Sequence, residues 1–191
     1  MNVRTLLLSV LLLAPVAAHA QRMTGTMDSR RSTLAYAAHH PTHDWRATSR
    51  SVTGTVAFDP ATPSGASVTM RVPVESFDSG NDSRDDHMID AVKGDDFPTI
   101  VFTSSRVVPT AWTRSADGWS GVWQVTGGMQ FAGRTVEMTL PVRVAVRGTS
   151  FSATSQFPIS ITAFGIRTPS LLGLAMRDNV EITATLAATL R

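Results

Sequence analysis

The chain has 191 residues, of which 42% are apolar, 17% are charged and none is cysteine. This composition excludes a disordered chain, a disulfide-stabilised fold and any thiolate metal site or thiol nucleophile. The net charge of +2 comes from scattered arginines and one lysine, so the sequence shows no basic patch for nucleic acid, and its length fits one domain.

The N-terminus has the three parts of a secretory signal peptide. Residues 1–4 are basic, residues 5–16 are apolar, and residues 18–20 (AHA) form a small-x-small cleavage signal. We therefore predict a signal peptide over 1–20 that is cleaved after Ala20. The remaining single domain, 21–191, is expected in the periplasm or outside the cell.

Most of the remaining chain alternates apolar and polar residues with a period of two, which is typical of half-buried β-strands. In chain order the alternation predicts strands at 34–38, around Trp45, and at 53–58, 68–74, 99–104, 119–131, 135–146, 151–159 and 180–190. Turn residues separate these segments. Pro73, Pro141 and Pro158 stand inside predicted strands and indicate edges, bulges or bends there.

Residues 81–94 interrupt the alternation and predict one helix of about three turns. Ser83 is the expected N-cap, Asp85 and Asp86 fall in the first turn, and Gly94 is placed as the C-terminal stop. The helix would follow the predicted strand at 68–74.

About eight strands with one apolar face and no alternating helices predict an all-β sandwich or closed antiparallel barrel. The apolar face contains many small residues, which fits either an interior guest or a tapering barrel. A small outer-membrane barrel would alternate in the same way. The single tyrosine, Tyr36, and the lack of a terminal aromatic argue against aromatic girdles and favour a water-soluble barrel.

Several segments resemble, in the same order, the YceI-like family, and the likeness covers residues 28–190. These segments are 74–81 (VESFDSGN), 84–88 (RDDHM), 97–104 (FPTIVFTS), 125–128 (VTGG) with the strand after Gly133, and 164–166 (FGI). The resemblance implies an exported, eight-stranded, lipocalin-like barrel with one short helix near its mouth. It further implies a polyisoprenoid or similar amphiphilic lipid held in the interior. We also consider a quinone-like lipid as the ligand, and we expect no other cofactor.

Apolar positions on the predicted strands are the expected lining of that interior, because a hydrocarbon chain needs apolar area and few hydrogen-bond partners. The expected lining residues are Val56, Val68, Met70, Val72, Phe77, Phe102, Val125, Met129, Phe131, Met138, Phe164 and Ile182. An alternative is that these side chains only pack on one another.

The predicted helix has two interpretations. As a cover for the barrel mouth, it would place Met88 against the interior, with Arg84 and His87 near a lipid headgroup. As a purely structural element, it would close the barrel end, with Arg84 paired to Asp78 or Asp85.

A competing hypothesis is a metal-binding or hydrolytic protein that uses His39, His40, His43 and Asp44. Their spacing across Pro41 in extended chain does not bring them together readily. The sequence contains no recognised catalytic motif. We therefore expect a binding protein and not an enzyme, with no bound metal, a monomeric or weakly dimeric state and transient contact with a membrane surface.

Overall fold

The computed structural model describes residues 22–168, 170–171 and 174–191, so the predicted signal peptide lies outside the described residues. The strands are β1 (Met23–Met27), β2 (Thr33–His40), β3 (His43–Ser49), β4 (Thr53–Phe58), β5 (Ser67–Pro73), β6 (Phe77–Asp78), β7 (Thr99–Pro109), β8 (Thr113–Ser115), β9 (Gly118–Phe131), β10 (Arg134–Arg147), β11 (Ser150–Ser160), β12 (Ser170–Leu171), β13 (Leu174–Ala175) and β14 (Asn179–Leu190). One α-helix, α1, covers Asp82–Ala91, and short 3-10 segments cover Pro63–Gly65, Val74–Ser76 and Thr162–Phe164. Within these ranges no helix has the length and apolar character needed to cross a membrane.

Eight of the strands close into an antiparallel barrel. Their order around the ring is β1-β4-β5-β7-β9-β10-β11-β14, and β14 pairs with β1 to complete it. At this seam Thr24 and Arg191 exchange backbone hydrogen bonds of 3.0 and 2.9 Å. The predicted eight-stranded antiparallel barrel with one short helix is confirmed. Strand β1 itself was not predicted from the sequence.

Three further strands extend the sheet at one end of the barrel. Strand β2 pairs with β14 beyond the stretch that pairs with β1, β3 pairs with β2, and the short β6 pairs with β3. Helix α1 follows β6 directly in the chain. This extension and α1 therefore border the same end of the barrel, which we call the mouth.

The apolar faces of the strands point into the barrel. Strand β11 shows this most plainly, because Phe151, Ala153, Ser155, Phe157 and Ile159 are buried while the residues that alternate with them are exposed. Strand β14 repeats the pattern. The alternation in the sequence thus predicted which side chains would form the interior, since successive side chains of a strand point to opposite faces.

The prolines inside strands mark a place where the barrel wall separates. Strands β10 and β11 pair only from Val142 and Ser155 outward, so Pro141 and Pro158 lie beyond their shared ladder. Each proline lacks the N–H that a continued ladder would need. Phe164, which is 1% exposed, packs in this part of the wall with its ring 5.5 Å from that of Phe131. The predicted irregularity at these two prolines is therefore observed.

Helix α1 begins and ends differently from the sequence prediction. The N-cap is Asn81, whose side-chain oxygen accepts a hydrogen bond of 3.0 Å from the Arg84 N–H, so the prediction of Ser83 was wrong. The left-handed residue after the helix is Lys93, and the Gly94 N–H donates to the Ile89 carbonyl at 2.8 Å. Gly94 is needed for space, because a Cβ there would lie 2.8 Å from the Ile89 side chain.

Candidate functional site

An apolar cavity of about 210 Å³ lies beneath α1 at the barrel mouth. We call it the outer cavity. It reaches the protein surface beside the exposed His87. Its wall is formed by Leu34, Tyr36, Ala38, Trp45, Val74, Phe77, Arg84, His87, Met88, Ala91, Val92, Ile100, Met129, Phe131, Ile159, Ile161, Ile166, Met176, Val180 and Ile182.

A second apolar cavity, of about 60 Å³, lies deeper in the barrel. We call it the inner cavity. Met129 belongs to the walls of both cavities. The inner wall is formed by Met27, Val68, Met70, Phe102, Trp123, Val125, Met129, Leu140, Val142, Val144, Phe151, Ala153, Thr154, Ser155, Phe157, Ala184 and Leu186.

Beyond the inner cavity, aromatic side chains fill the barrel. We call Phe58, Trp112, Trp123 and Phe151 the aromatic plug. The Trp123 ring is 1% exposed and lies 5.4 Å from Phe58, 5.3 Å from Trp112 and 6.4 Å from Phe151, measured between ring centroids. Rings at such distances fill space densely and attract one another. The interior is therefore solid at one end and hollow at the mouth.

Arg84 and His87 of α1 lie at the rim of the outer cavity. The Arg84 guanidinium lies 5.9 Å from the centroid of the Trp45 ring, in cation–π contact. In the part of the chain that the structure describes, Arg84 has no carboxylate within ion-pair distance. Asp78 and Asp85 accept hydrogen bonds from the Gly80 and Ser79 N–H groups instead. The alternative in which Arg84 pairs with Asp78 or Asp85 is thus wrong.

Tyr36 supplies a polar atom inside the otherwise apolar wall. Its hydroxyl is buried and has no hydrogen-bond partner within the described ranges. Burial raises the pKa of the phenol above its usual value of 10.0, and this effect outweighs the opposing effect of the adjacent Trp45 side chain. Tyr36 therefore stays neutral at physiological pH and can donate a hydrogen bond to a polar group that enters the mouth.

The structure distributes the sequence-predicted site residues over three places. The outer cavity contains Phe77, Arg84, His87, Met88, Met129, Phe131 and Ile182. The inner cavity contains Val68, Met70, Phe102, Val125 and, again, Met129. Neither wall includes Val56, Val72, Met138 or Phe164. Val56, Val72 and Phe164 are buried in the packed interior, and Met138 is half-buried against it.

Sequence reasoning missed the contribution of the β2–β3 hairpin to the outer cavity. Tyr36, Ala38 and Trp45 all lie on it. The signal that could have found them is the apolar alternation in β2, which matches that of the strands already assigned to the barrel. Their position over the mouth depends on β2 pairing with β14, a contact between residues far apart in the chain.

The histidine-rich segment forms the tip of this hairpin and does not gather into one site. His39 pairs with Asp44 across the hairpin, and His40 pairs with His43. Adjacent cross-strand pairs point to opposite faces of a hairpin. His39 Nδ1 accordingly lies 2.9 Å from Asp44 Oδ1, while the centroids of the His40 and His43 rings lie 5.6 Å apart, with the ring planes tilted by 44°. No group of three metal-binding side chains occurs among the described residues.

Comparison with known proteins adds to this description. The family model described as YceI-like domain matches residues 26–188. The crystal structure of Burkholderia cenocepacia BcnA is similar, with 26% sequence identity and a TM-score of 0.72, covering 85% of this chain and 99% of BcnA. A polyisoprenoid binding domain from Saccharophagus degradans, implicated in plant cell wall breakdown, shares the fold at 14% identity and a TM-score of 0.68, covering 87% of this chain and 98% of that domain. No match to a curated protein was found.

Proposed function

This chain belongs to the YceI-like domain family, and on that premise we propose that it binds one amphiphilic lipid, a polyisoprenoid or a quinone-like molecule. The hydrocarbon chain occupies the outer cavity, and the headgroup stays at the mouth beside α1. The role is binding and transport, without catalysis.

The observation that carries this proposal is the apolar wall of a cavity that reaches the surface. Apart from Tyr36, Arg84 and His87, the outer cavity is lined by aliphatic side chains, methionines and apolar aromatic surfaces. Burying each CH₂ group in such a wall contributes about 0.8 kcal/mol before entropy losses. A branched five-carbon unit therefore contributes about 4 kcal/mol gross. The half-exposed Met88 and the buried Met129 can adjust to a flexible guest.

The polar groups at the mouth support a headgroup with hydrogen-bond acceptors. Arg84, Tyr36 and His87 all reach the cavity wall. The Tyr36 hydroxyl and the Arg84 guanidinium are donors without a hydrogen-bonded or ion-paired protein partner in the described ranges. A quinone carbonyl, an alcohol or a phosphate oxygen would each satisfy such donors.

The neighbouring structures support the same ligand class. The Saccharophagus degradans domain is described as polyisoprenoid-binding and has the same fold. An isoprenoid chain also suits the cavity of the present protein, because its repeating apolar units match a wall with few polar atoms.

Export and contact with a membrane belong to this proposal. The predicted signal peptide over 1–20 would deliver the protein to the periplasm or the medium. Phe97, which is 41% exposed, packs its ring on Gly133 in the turn that follows Phe131 at the mouth. An exposed aromatic ring at that position would be suited to touch a membrane while a lipid enters or leaves.

Native mass spectrometry of the protein, purified from an exporting host without detergent, tests the proposal. We expect a bound mass that organic extraction releases and identifies as a prenyl lipid. Replacing Met88 by Gln puts an amide in the apolar wall and should weaken prenol binding about tenfold, because the bound chain would exclude water from that amide at a cost of about 1–3 kcal/mol. Arg84→Ala should lower the amount of bound lipid if its headgroup is polar.

Met138→Gln is the matched control, because Met138 is half-buried but lines neither cavity. It should leave lipid content unchanged. Wild-type protein that contains no extractable lipid and binds no added prenol would contradict the proposed function.

A further inference from the structure

We propose that Met129 determines how long a hydrocarbon chain the barrel accepts. The proposal rests on the proposed function and adds a residue that controls its specificity. In this arrangement the Met129 side chain is a movable partition between the outer and inner cavities, and its rotation joins them into one channel.

Met129 is the residue at the boundary between the two cavities. It is 4% exposed and belongs to both cavity walls. Along β9, Phe131 lies toward the mouth, whereas Val125 and Trp123 lie toward the aromatic plug. A chain that enters beneath α1 therefore meets Phe131 first, then Met129, and reaches the inner cavity only after passing it.

The chemistry of the side chain suits a movable partition. Methionine is unbranched and has three rotatable bonds, so it changes shape at little cost. The neighbouring Phe102 is more fixed, because its ring occupies the space that a side chain at Gly127 would need, 2.7 Å from the position of a Cβ there. Of these two adjacent wall residues, Met129 is the one that can move aside without rearranging the strands.

The volumes of the two cavities determine the length of hydrocarbon chain that they can hold. A dry apolar cavity of about 150 Å³ holds benzene, which corresponds to roughly 25 Å³ per carbon. On that scale the outer cavity of about 210 Å³ takes roughly eight carbons, fewer than two isoprene units. Adding the inner cavity of about 60 Å³ brings the capacity to about two units. The aromatic plug closes the channel beyond that point.

Binding of prenols of increasing length tests the assignment. Dimethylallyl alcohol, geraniol and farnesol, which have one, two and three isoprene units, are titrated into wild-type protein and the variants Met129→Ala and Met129→Phe. Met129→Ala leaves the cavities permanently joined and larger, so the affinity for farnesol relative to geraniol should rise at least about tenfold. Met129→Phe blocks the inner cavity, so geraniol should bind no more tightly than dimethylallyl alcohol, whereas wild-type protein, in which Met129 can move aside, should bind geraniol more tightly than dimethylallyl alcohol.

Met138→Ala and Met138→Phe are the matched controls, since Met138 lies on the neighbouring strand β10 and lines neither cavity. They should keep the wild-type ratio of affinities. Thermal unfolding verifies that each variant is folded, and if Met129→Ala does not fold, the ratio measured for Met129→Phe decides. Binding by all folded variants with one common ratio overturns the role of Met129 and leaves the proposed function intact. Failure of wild-type protein to bind any prenol overturns both.

Discussion

At the scale of single residues, the Asp178 side chain links the start of β14 to the end of β11 and the turn that follows it. Its Oδ2 accepts a hydrogen bond of 2.6 Å from the Ser160 hydroxyl, and its Oδ1 accepts one of 2.9 Å from the Thr162 N–H. These bonds fasten the residue before β14 to the turn after β11. Because they favour the charged carboxylate, they lower the pKa of Asp178 below the ordinary value of 3.8.

The direction of this shift predicts how stability depends on pH. A carboxylate whose pKa is lower in the folded state stabilises the fold above its unfolded-state pKa, and this stabilisation is lost as the pH falls through the folded-state pKa. Asp178→Asn cannot titrate, so its free energy of unfolding should be lower than wild type at pH 7, and the difference should shrink as the pH falls below the ordinary carboxyl value of 3.8. Urea unfolding at these pH values measures the difference. Asp117→Asn, in an exposed turn, is the control. A difference in free energy of unfolding between wild type and Asp178→Asn that does not shrink in acid would contradict the prediction.

At the scale of elements, α1 is held more by its ends than by its faces. All of its residues lie within the described range and are exposed or half-buried. It is anchored by the Asn81 cap at its start and by the Lys93 and Gly94 hydrogen bonds at its end. An element with so little buried area opens more readily than the barrel strands. This is the property that a cover over a ligand entrance requires.

Removing the N-cap should loosen α1 without disturbing the barrel. Asn81→Ala deletes the side-chain acceptor of the Arg84 N–H and leaves it only the Asn81 backbone carbonyl, which should cost about 1 kcal/mol of local stability. Amide hydrogen exchange should become faster in α1 and stay unchanged in β9 and β11. Ser83→Ala is the matched control, because Ser83 lies inside the first turn and caps nothing in the described structure. Equal effects of the two substitutions would show that Asn81 does not hold the helix start.

At the scale of the whole molecule, the two ends of the barrel differ in how their interior is filled. The aromatic plug fills one end with buried rings, while the mouth keeps an apolar space beneath a helix that is only shallowly packed. A closed sheet can support this division because its strands are stabilised by hydrogen bonds around the whole ring and do not require a filled interior at every level.

This division predicts that stability and binding can be changed separately. Phe58→Ala empties a position that is 0% exposed in the plug and should lower the free energy of unfolding by about 3–5 kcal/mol. Phe131→Ala, at a half-buried position in the outer cavity wall, should cost less stability but weaken prenol binding. Urea unfolding and prenol titration on the same two variants measure both quantities. A greater loss of binding in folded Phe58→Ala than in Phe131→Ala would contradict the division.

The sequence alone predicted most of the long strands, their buried faces and the presence of one helix, because a period of two and a run of helix-favouring residues are local properties of the chain. The periodicity left a sandwich or a barrel open and missed β1, and the family resemblance of the ordered segments favoured the barrel. The sequence also identified Phe131, Met129 and Ile182 as interior residues, which the alternation places on the apolar face. Helix boundaries were less certain, because Asn81 and Ser83 are both good N-caps and only the backbone conformation selects one.

Only the tertiary structure decided which buried residues face empty space and which face one another. Val72 and Met129 both lie on apolar strand faces, yet Val72 is packed in the core and Met129 borders two cavities. That difference depends on barrel closure, on the opening of the ladder between β10 and β11, and on where the rings of the plug meet. These contacts join residues distant in the chain, and alternation along one strand carries no information about the side chains across the barrel.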